Sequence, residues 1–252
     1  MPSNYYDRPE WSYSQMKKIL SSGIDYAVAA KQGLLPEPKS KAIDLGQMIH
    51  NTVLGGDDKF IESPYKDYRT KESQIWRDGW RDKGYIIVDQ EMSQACAAAV
   101  ENILNHPHAK TYLTGPEIKH EVELYAKTAE GVALRGKADA IVFHDDGKTP
   151  KIIVDIKTTA QFDKFEWSSR YNHYDLQAAT YTLLSKTNFS NYYFCVVETI
   201  APYRVQFMHA SLEFVEAGER KLRKCIDEIL AFGDKEPSFM LEDIPELGDY
   251  SL

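Results

Sequence analysis

The chain has 252 residues, 43% hydrophobic and 27% charged, with a formal net charge of -8, a balance ordinary for a soluble globular protein and contrary to indiscriminate adhesion to nucleic acid. No apolar run approaches the length of a membrane span, and the start, Met1-Pro-Ser-Asn-Tyr-Tyr-Asp7, lacks a basic segment and an apolar core, so a cytoplasmic protein without membrane contact is expected. Cys96, Cys195 and Cys225 are odd in number and widely spaced, which fits reduced core thiols rather than disulfides or a zinc site.

In chain order, Ser12 or Ser14 can cap a helix through about Ser21, and a second helix, Ile24 to Gln32, ends at Gly33. Tyr5, Tyr6, Trp11 and Tyr13 make the entry unusually aromatic; packing, an oligomer contact and a base-stacking surface all stay open. Pro36-Glu-Pro38 separates this pair from a helix over about Ser40 to Leu54, where Leu45, Ile49 and Val53 form an apolar stripe with His50 beside it. Between Phe60 and Lys83, basic residues such as Arg69, Lys71 and Arg77 alternate with Tyr68, Trp76 and Trp80. That pattern suits either a phosphate-tracking surface or a solvated amphipathic helix. Tyr85 to Val88 reads as a short strand, and Asp89 caps a helix to about Asn105.

Strands follow over Glu117 to Lys127, with Glu121 and Glu123 on one face, and over Arg135 to Val142. In the second, alternation puts Arg135, Lys137 and Asp139 on one face with Ile141 and Phe143, and leaves Gly136, Ala138 and Ala140 as a face small enough for close helix packing. After a turn at Asp145 to Pro150 comes the strand Lys151-Ile-Ile-Val-Asp-Ile-Lys-Thr-Thr159, which is expected to leave the core where its charges begin, with Asp155 and Lys157 on the same side. Two carboxylates and a lysine thus converge, an arrangement suited to hydrolysis assisted by a hard divalent ion. A surface ion pair is the plainer reading of Asp-x-Lys, but charge on a buried strand must be paired or coordinate something. An aromatic loop then leads to a helix over about Tyr171 to Ser185 whose Tyr174, Gln177 and Tyr181 share a face. Strands at Asn191 to Glu198 and Tyr203 to His209, a helix over Leu212 to Phe232 between Ser211 and Gly233, and an acidic tail complete the chain.

The Gly136-Lys-Ala-Asp139 strand, Asp155-Ile-Lys-Thr-Thr159 and Tyr174-Asp-Leu-Gln-Ala-Ala-Thr-Tyr181, with Ser12-Tyr-Ser14, Asp44-Leu-Gly-Gln-Met-Ile-His50, Arg69-Thr-Lys71 and Glu121, resemble the PD-(D/E)XK nuclease superfamily. The resemblance is closest to phage-type exonucleases related to exodeoxyribonuclease VIII, and more distant to RecB-type nuclease domains; it fades beyond about Lys186. It implies a restriction-endonuclease-like α/β core with a central mixed sheet flanked by helices, plus N-terminal helical additions covering one side. It further implies that His50, Asp139, Asp155 and the carbonyl of Ile156 hold Mg2+, or Mn2+ in its place, with Glu121 nearby. Lys157 would position the attacking water, Gln177 and Tyr181 would hold the substrate phosphate or the lysine, and Arg69 and Lys71 would contact DNA. The implied reaction is hydrolysis at the ends of linear double-stranded DNA, 5′ to 3′, leaving overhangs for phage-type recombination. Its implied partners are a single-strand-annealing recombinase and further copies in a ring-like homo-oligomer. Relatives commonly carry Arg-Pro-Asp where this chain has Lys137-Ala138-Asp139. Some RecB-type relatives hold an iron–sulfur cluster with four cysteines, which this chain does not have.

One domain over 1-252 is expected, with a helical part over about 1-115, a catalytic core over about 116-210, and a C-terminal helix and tail over about 211-252. The alternatives are a catalytically silent DNA-end-binding or recombinase-recruiting module and a RecB-like nuclease that prefers single strands.

Overall fold

A computed structural model describes residues 5–35 and 41–238, with side chains from residue 44 onward in the second stretch. The Pro36-Glu-Pro38 separator, Ser40 and the acidic tail beyond residue 238 lie outside the described residues. The first elements are β1 (Trp11–Ser12), α1 (Tyr13–Ser22), α2 (Ile24–Lys31), α3 (Lys41–Leu54), β2 (Lys59–Glu62), α4 (Lys71–Arg81), β3 (Tyr85–Val88), α5 (Gln90–Asn105) and α6 (Ala109–Tyr112). There follow β4 (Ile118–Lys127), β5 (Ala133–Phe143), β6 (Pro150–Thr159), α7 (Phe165–Tyr171), α8 (Tyr174–Ser185), β7 (Tyr192–Glu198), β8 (Val205–His209) and α9 (Leu212–Phe232).

The helix ends follow local chemistry. Ser12 accepts from Gln15 N while the Gln15 side chain reaches back to Ser12 N at 3.0 Å, a reciprocal cap at the start of α1. Asp89 caps α5, and Ser211 caps α9, which stops at Gly233. The main sheet runs β1-β5-β6-β7-β8, with β4 also paired to β5. β4, β5 and β6 are antiparallel neighbours, whereas β6 and β7 are parallel, joined by the crossover through α8.

Helices cover both faces. On one, α3 and α5 bury Ile49, Val53, Cys96 and Ile103 against Ala140, Val154 and Cys195. On the other, α8 lies on the sheet beneath α9, and α1 joins them through Met16, Ile19, Leu176 and Leu222. The N-terminal helices therefore divide between the two faces instead of covering one, because the stripe on α3 finds the opposite side of the sheet from that on α1. Gly218 permits a close helix contact: a Cβ there would clash with the Asp175 carbonyl oxygen. Among the described residues no helix is long and apolar enough to cross a membrane. Cys96, Cys195 and Cys225 are buried free thiols.

Three local expectations change. Strict alternation fails in both β4 and β5. His120 bonds the Leu54 and Leu113 carbonyls on the α3 side, but Val122 and Leu124 pack on the α8 side. Opposite them, Ala138 packs towards α8, Ala140 towards α3, and Ile141 and Phe143 towards α8 again. The reversal falls at Glu121, whose φ is 53, and at Asp139 across from it, so Asp139 does not share the face of Ile141 and Phe143. Next, the loop after Thr159 contains α7, and α8 starts only at Tyr174 because His173 adopts φ 58 and breaks the helical run. Finally, the aromatics between Phe60 and Lys83 pack on one another. Trp76 lies 5.9 Å from Tyr65 and 6.2 Å from Trp80, which lies 4.8 Å from Tyr85, joining α4 to the small β2–β3 sheet. α4 is thus an amphipathic helix whose half-buried rings pack against one another and against the small sheet.

Candidate metal centre and its supporting residues

Strand β5 changes partners along one edge, pairing with β1 at Leu134 and Arg135 and with β6 from Ala140 onward. The intervening gap would leave polar backbone unpaired, and side chains fill it. The Tyr181 hydroxyl accepts from Lys137 N at 3.1 Å and donates to Lys137 O at 3.0 Å, taking the place of a strand. The carboxylate of Asp139 accepts from Ile156 N at 2.7 Å, where β5 and β6 part.

This gap and the reversal of face aim three ligating groups at one point. His50 Nε2 lies 2.7 Å from Asp139 Oδ2, and its Nδ1 lies 3.8 Å from Glu121 Oε1. The ligand atoms of His50, Glu121 and Asp139 all lie within 4.8 Å of one another. They sit in an open cleft of about 1120 Å³, whose walls include Tyr6, Gly46, Lys137, Lys157 and Tyr174. Burial works against charge on His50, but Asp139, with Asp155 and Glu121 behind it, outweighs burial and raises the imidazole pKa. Burial likewise works to raise Asp139, and His50 and Lys157 overcome it, so that carboxylate is held below its ordinary range.

Behind the cluster, on the α8 side of the sheet, Asp155 is 2% exposed. Gln177 donates to its Oδ1 at 2.6 Å and Lys157 forms an ion pair with Oδ2. The charges of β6 thus begin inside the core rather than at its exit. Burial pushes Asp155 up to about 6, with Lys157 opposing and Asp139 reinforcing the shift. Burial also acts to lower Lys157, but Asp155 and Asp139 prevail and raise it, so the ammonium stays charged. The Lys157 Nζ lies 4.8 Å from the centre of the Tyr174 ring.

The structure brings His50, Glu121, Asp139 and Lys157 into the cleft, and the Ile156 residue lines it as well. Asp155 is not one of the three clustered ligand residues and does not line the cleft, although its charge acts on both His50 and Asp139. Gln177 and Tyr181, both buried, are committed to Asp155 and to the Lys137 backbone, so they support the site from behind and do not reach the cleft to hold a phosphate. Arg69, 89% exposed and 3.5 Å from Asp67, and the exposed Lys71 stand outside the cleft wall. Lys137, which pairs with Glu121, was not singled out for the site on sequence; its place in the Gly136-Lys-Ala-Asp139 strand was the available signal. One imidazole and two carboxylates at these separations can hold a divalent metal ion.

The sequence matches the family described as a PDDEXK-like domain of unknown function (DUF3799) over residues 12–238. Comparison with curated proteins finds no match. A crystal structure from Eubacterium rectale, described as a "Putative exonuclease", is similar with a TM-score of 0.60 and 17% identity, over 91% of this chain and 87% of that one. At that identity the likeness shows the fold: a central mixed sheet flanked by helices. Family and fold together support a nuclease, and the match over residues 12–238 makes the chain a member of the PDDEXK-like domain family.

Proposed function

We propose that the protein is a metal-dependent exonuclease acting at the ends of linear double-stranded DNA, in the 5′ to 3′ direction. The observation that carries this reading is the convergence of His50, Glu121 and Asp139 in an open cleft, with the charged Lys157 on its wall. His50, Glu121 and Asp139 would hold a divalent ion, which would supply Lewis-acid polarisation of a phosphoryl oxygen and a more acidic water. The protein's own residues do the rest. His50, Glu121 and Asp139 bind, and Ile156 N holds the Asp139 carboxylate in position. Lys157 keeps its proton, so it orients the attacking water and stabilises phosphate charge by donation from Nζ, and it is no general base near neutral pH. Asp155 holds Lys157, and Gln177 holds Asp155.

On this reading the partners are duplex ends, a single-strand-annealing recombinase that takes the exposed strand, and further copies in a ring. The exposed Trp167, Tyr171, Leu212 and Leu230 offer apolar surface for such contacts. The test is incubation of end-labelled linear and covalently closed circular duplex with Mg2+, Mn2+ or EDTA. Linear duplex is expected to be degraded with metal only, while closed circles persist. Nicking of closed circles at a similar rate would contradict end dependence, and cleavage in EDTA would contradict the metal.

A further inference from the structure

Arg135 is 3% exposed, yet no described carboxylate forms an ion pair with it. Its guanidinium donates to the main-chain oxygens of Tyr5 and, at 3.2 Å, Tyr6; the Tyr5 ring lies over it at 4.8 Å, and Nε is buried without a hydrogen-bond partner. A buried guanidinium without a carboxylate is costly, and an apolar residue would fill the same space at less cost. What the arginine adds is a fork that grips two consecutive carbonyls. The grip fixes the chain at residues 5 and 6 against the edge of β5.

The held segment places the Tyr6 ring against that of Tyr5, edge to face with centroids 5.3 Å apart. Tyr6 is 67% exposed and forms part of the wall of the cleft containing His50, Glu121 and Asp139. Lys137 Nζ lies 5.6 Å from the centre of that ring, bonds the Tyr6 hydroxyl and pairs with Glu121. An exposed aromatic ring on a cleft wall, with an ammonium beside it, matches a nucleotide: the ring for the base, the cation for the phosphate.

We propose that Tyr6 is a base-stacking post at the mouth of the cleft, gripped in place by Arg135, for an unpaired nucleotide of the strand bound at the metal centre. This rests on the nuclease reading above. Tyr6 is a binding residue, and Arg135 positions it.

The test is binding of fluorescent single-stranded oligonucleotides in EDTA, so that no cleavage intervenes. The probes are one intact strand and a series in which a single abasic nucleotide is moved along it. Tyr6→Phe keeps the ring and should bind the intact strand as the parent does, while Tyr6→Ala should bind it about tenfold more weakly, as expected from losing one stacked base. For the parent, one position in the abasic series should show a comparable loss, and Tyr6→Ala should show none there. Arg135→Lys, which keeps the charge but loses the fork, should also flatten that dependence. Binding by Tyr6→Ala within twofold of the parent, or a parent indifferent to every abasic position, overturns the proposal. If the parent binds intact strands and cuts DNA while these results fail, this inference falls alone; if the parent neither binds nor cuts DNA, the nuclease reading falls with it.

Discussion

Gln177 donates a 2.6 Å hydrogen bond to Oδ1 of Asp155, a carboxylate with almost no access to water. The amide offers a donor where solvent offers none, and it holds the oxygen pair in the orientation that meets Lys157. Gln177→Leu keeps the bulk and removes the donor. The loss should cost about 1 to 3 kcal/mol of stability and push the Asp155 pKa further above about 6, since burial would act with less opposition. The acid limb of cleavage should move to higher pH in the variant. Chemical denaturation and a pH profile of single-turnover cleavage check both, and an unmoved acid limb would show that Gln177 merely packs.

Metal binding should release a proton. Asp139, Asp155 and Glu121 together outweigh burial to raise the His50 pKa above its ordinary value of 6.5, so the metal-free imidazole holds its proton more firmly than a free one. In the metal-free protein that raised pKa contributes stability fully present below the unfolded value and lost as pH rises through the folded one. A ligating imidazole must be neutral, so Mn2+ displaces the proton within that window. Calorimetric titration at pH 6.5, in two buffers of different ionisation enthalpy, should show protons released as the ion binds. The release should shrink, and affinity should rise, as the pH is raised through the folded His50 pKa. His50→Ala should bind weakly with no such release; proton release unchanged in that variant would place the titrating group elsewhere.

Gly218→Ala tests the helix contact that supports α8 from outside. The added methyl would clash with the Asp175 carbonyl oxygen, so α8 and α9 must separate. Overpacking of this kind costs about 1 to 3 kcal/mol or more, against a gain below about 1 kcal/mol from replacing a helical glycine. A net loss is expected in urea unfolding, whereas unchanged or higher stability would mean that the two helices tolerate separation.

Most elements were legible in the sequence because their ends carry local signals: Ser12, Asp89 and Ser211 cap helices where expected, and Gly233 closes α9. The central mixed sheet implied by the resemblance is present, with β4, β5 and β6 antiparallel and β7 returning parallel to β6. What alternation missed is the reversal at Glu121 and Asp139, since period-2 reasoning assumes a regular strand and the irregularity lies in the backbone at Glu121. That reversal decides which face each acid serves, so the convergence of His50, Glu121 and Asp139 and the separate setting of Asp155 could not be read from spacing. The role of Tyr181 was hidden for a similar reason: it fills a gap that exists only because β5 changes partners. Arg135 and Tyr6 meet across a sequence separation that no local pattern reports.

The central claim is that the His50, Glu121 and Asp139 cluster holds the metal for phosphodiester hydrolysis, with Lys157 acting on the substrate side. Single-turnover cleavage of an end-labelled linear duplex across a Mn2+ titration tests it most directly, with the parent, Asp139→Ala and Lys157→Ala side by side. Lys157→Ala should saturate with metal at parental or lower Mn2+ concentration yet cleave about 100-fold or more slowly, within the range for losing a preorganised charge. Asp139→Ala should show no saturable metal dependence and no cleavage above background. A parental rate in Lys157→Ala, or a parental metal response in Asp139→Ala, would contradict the account.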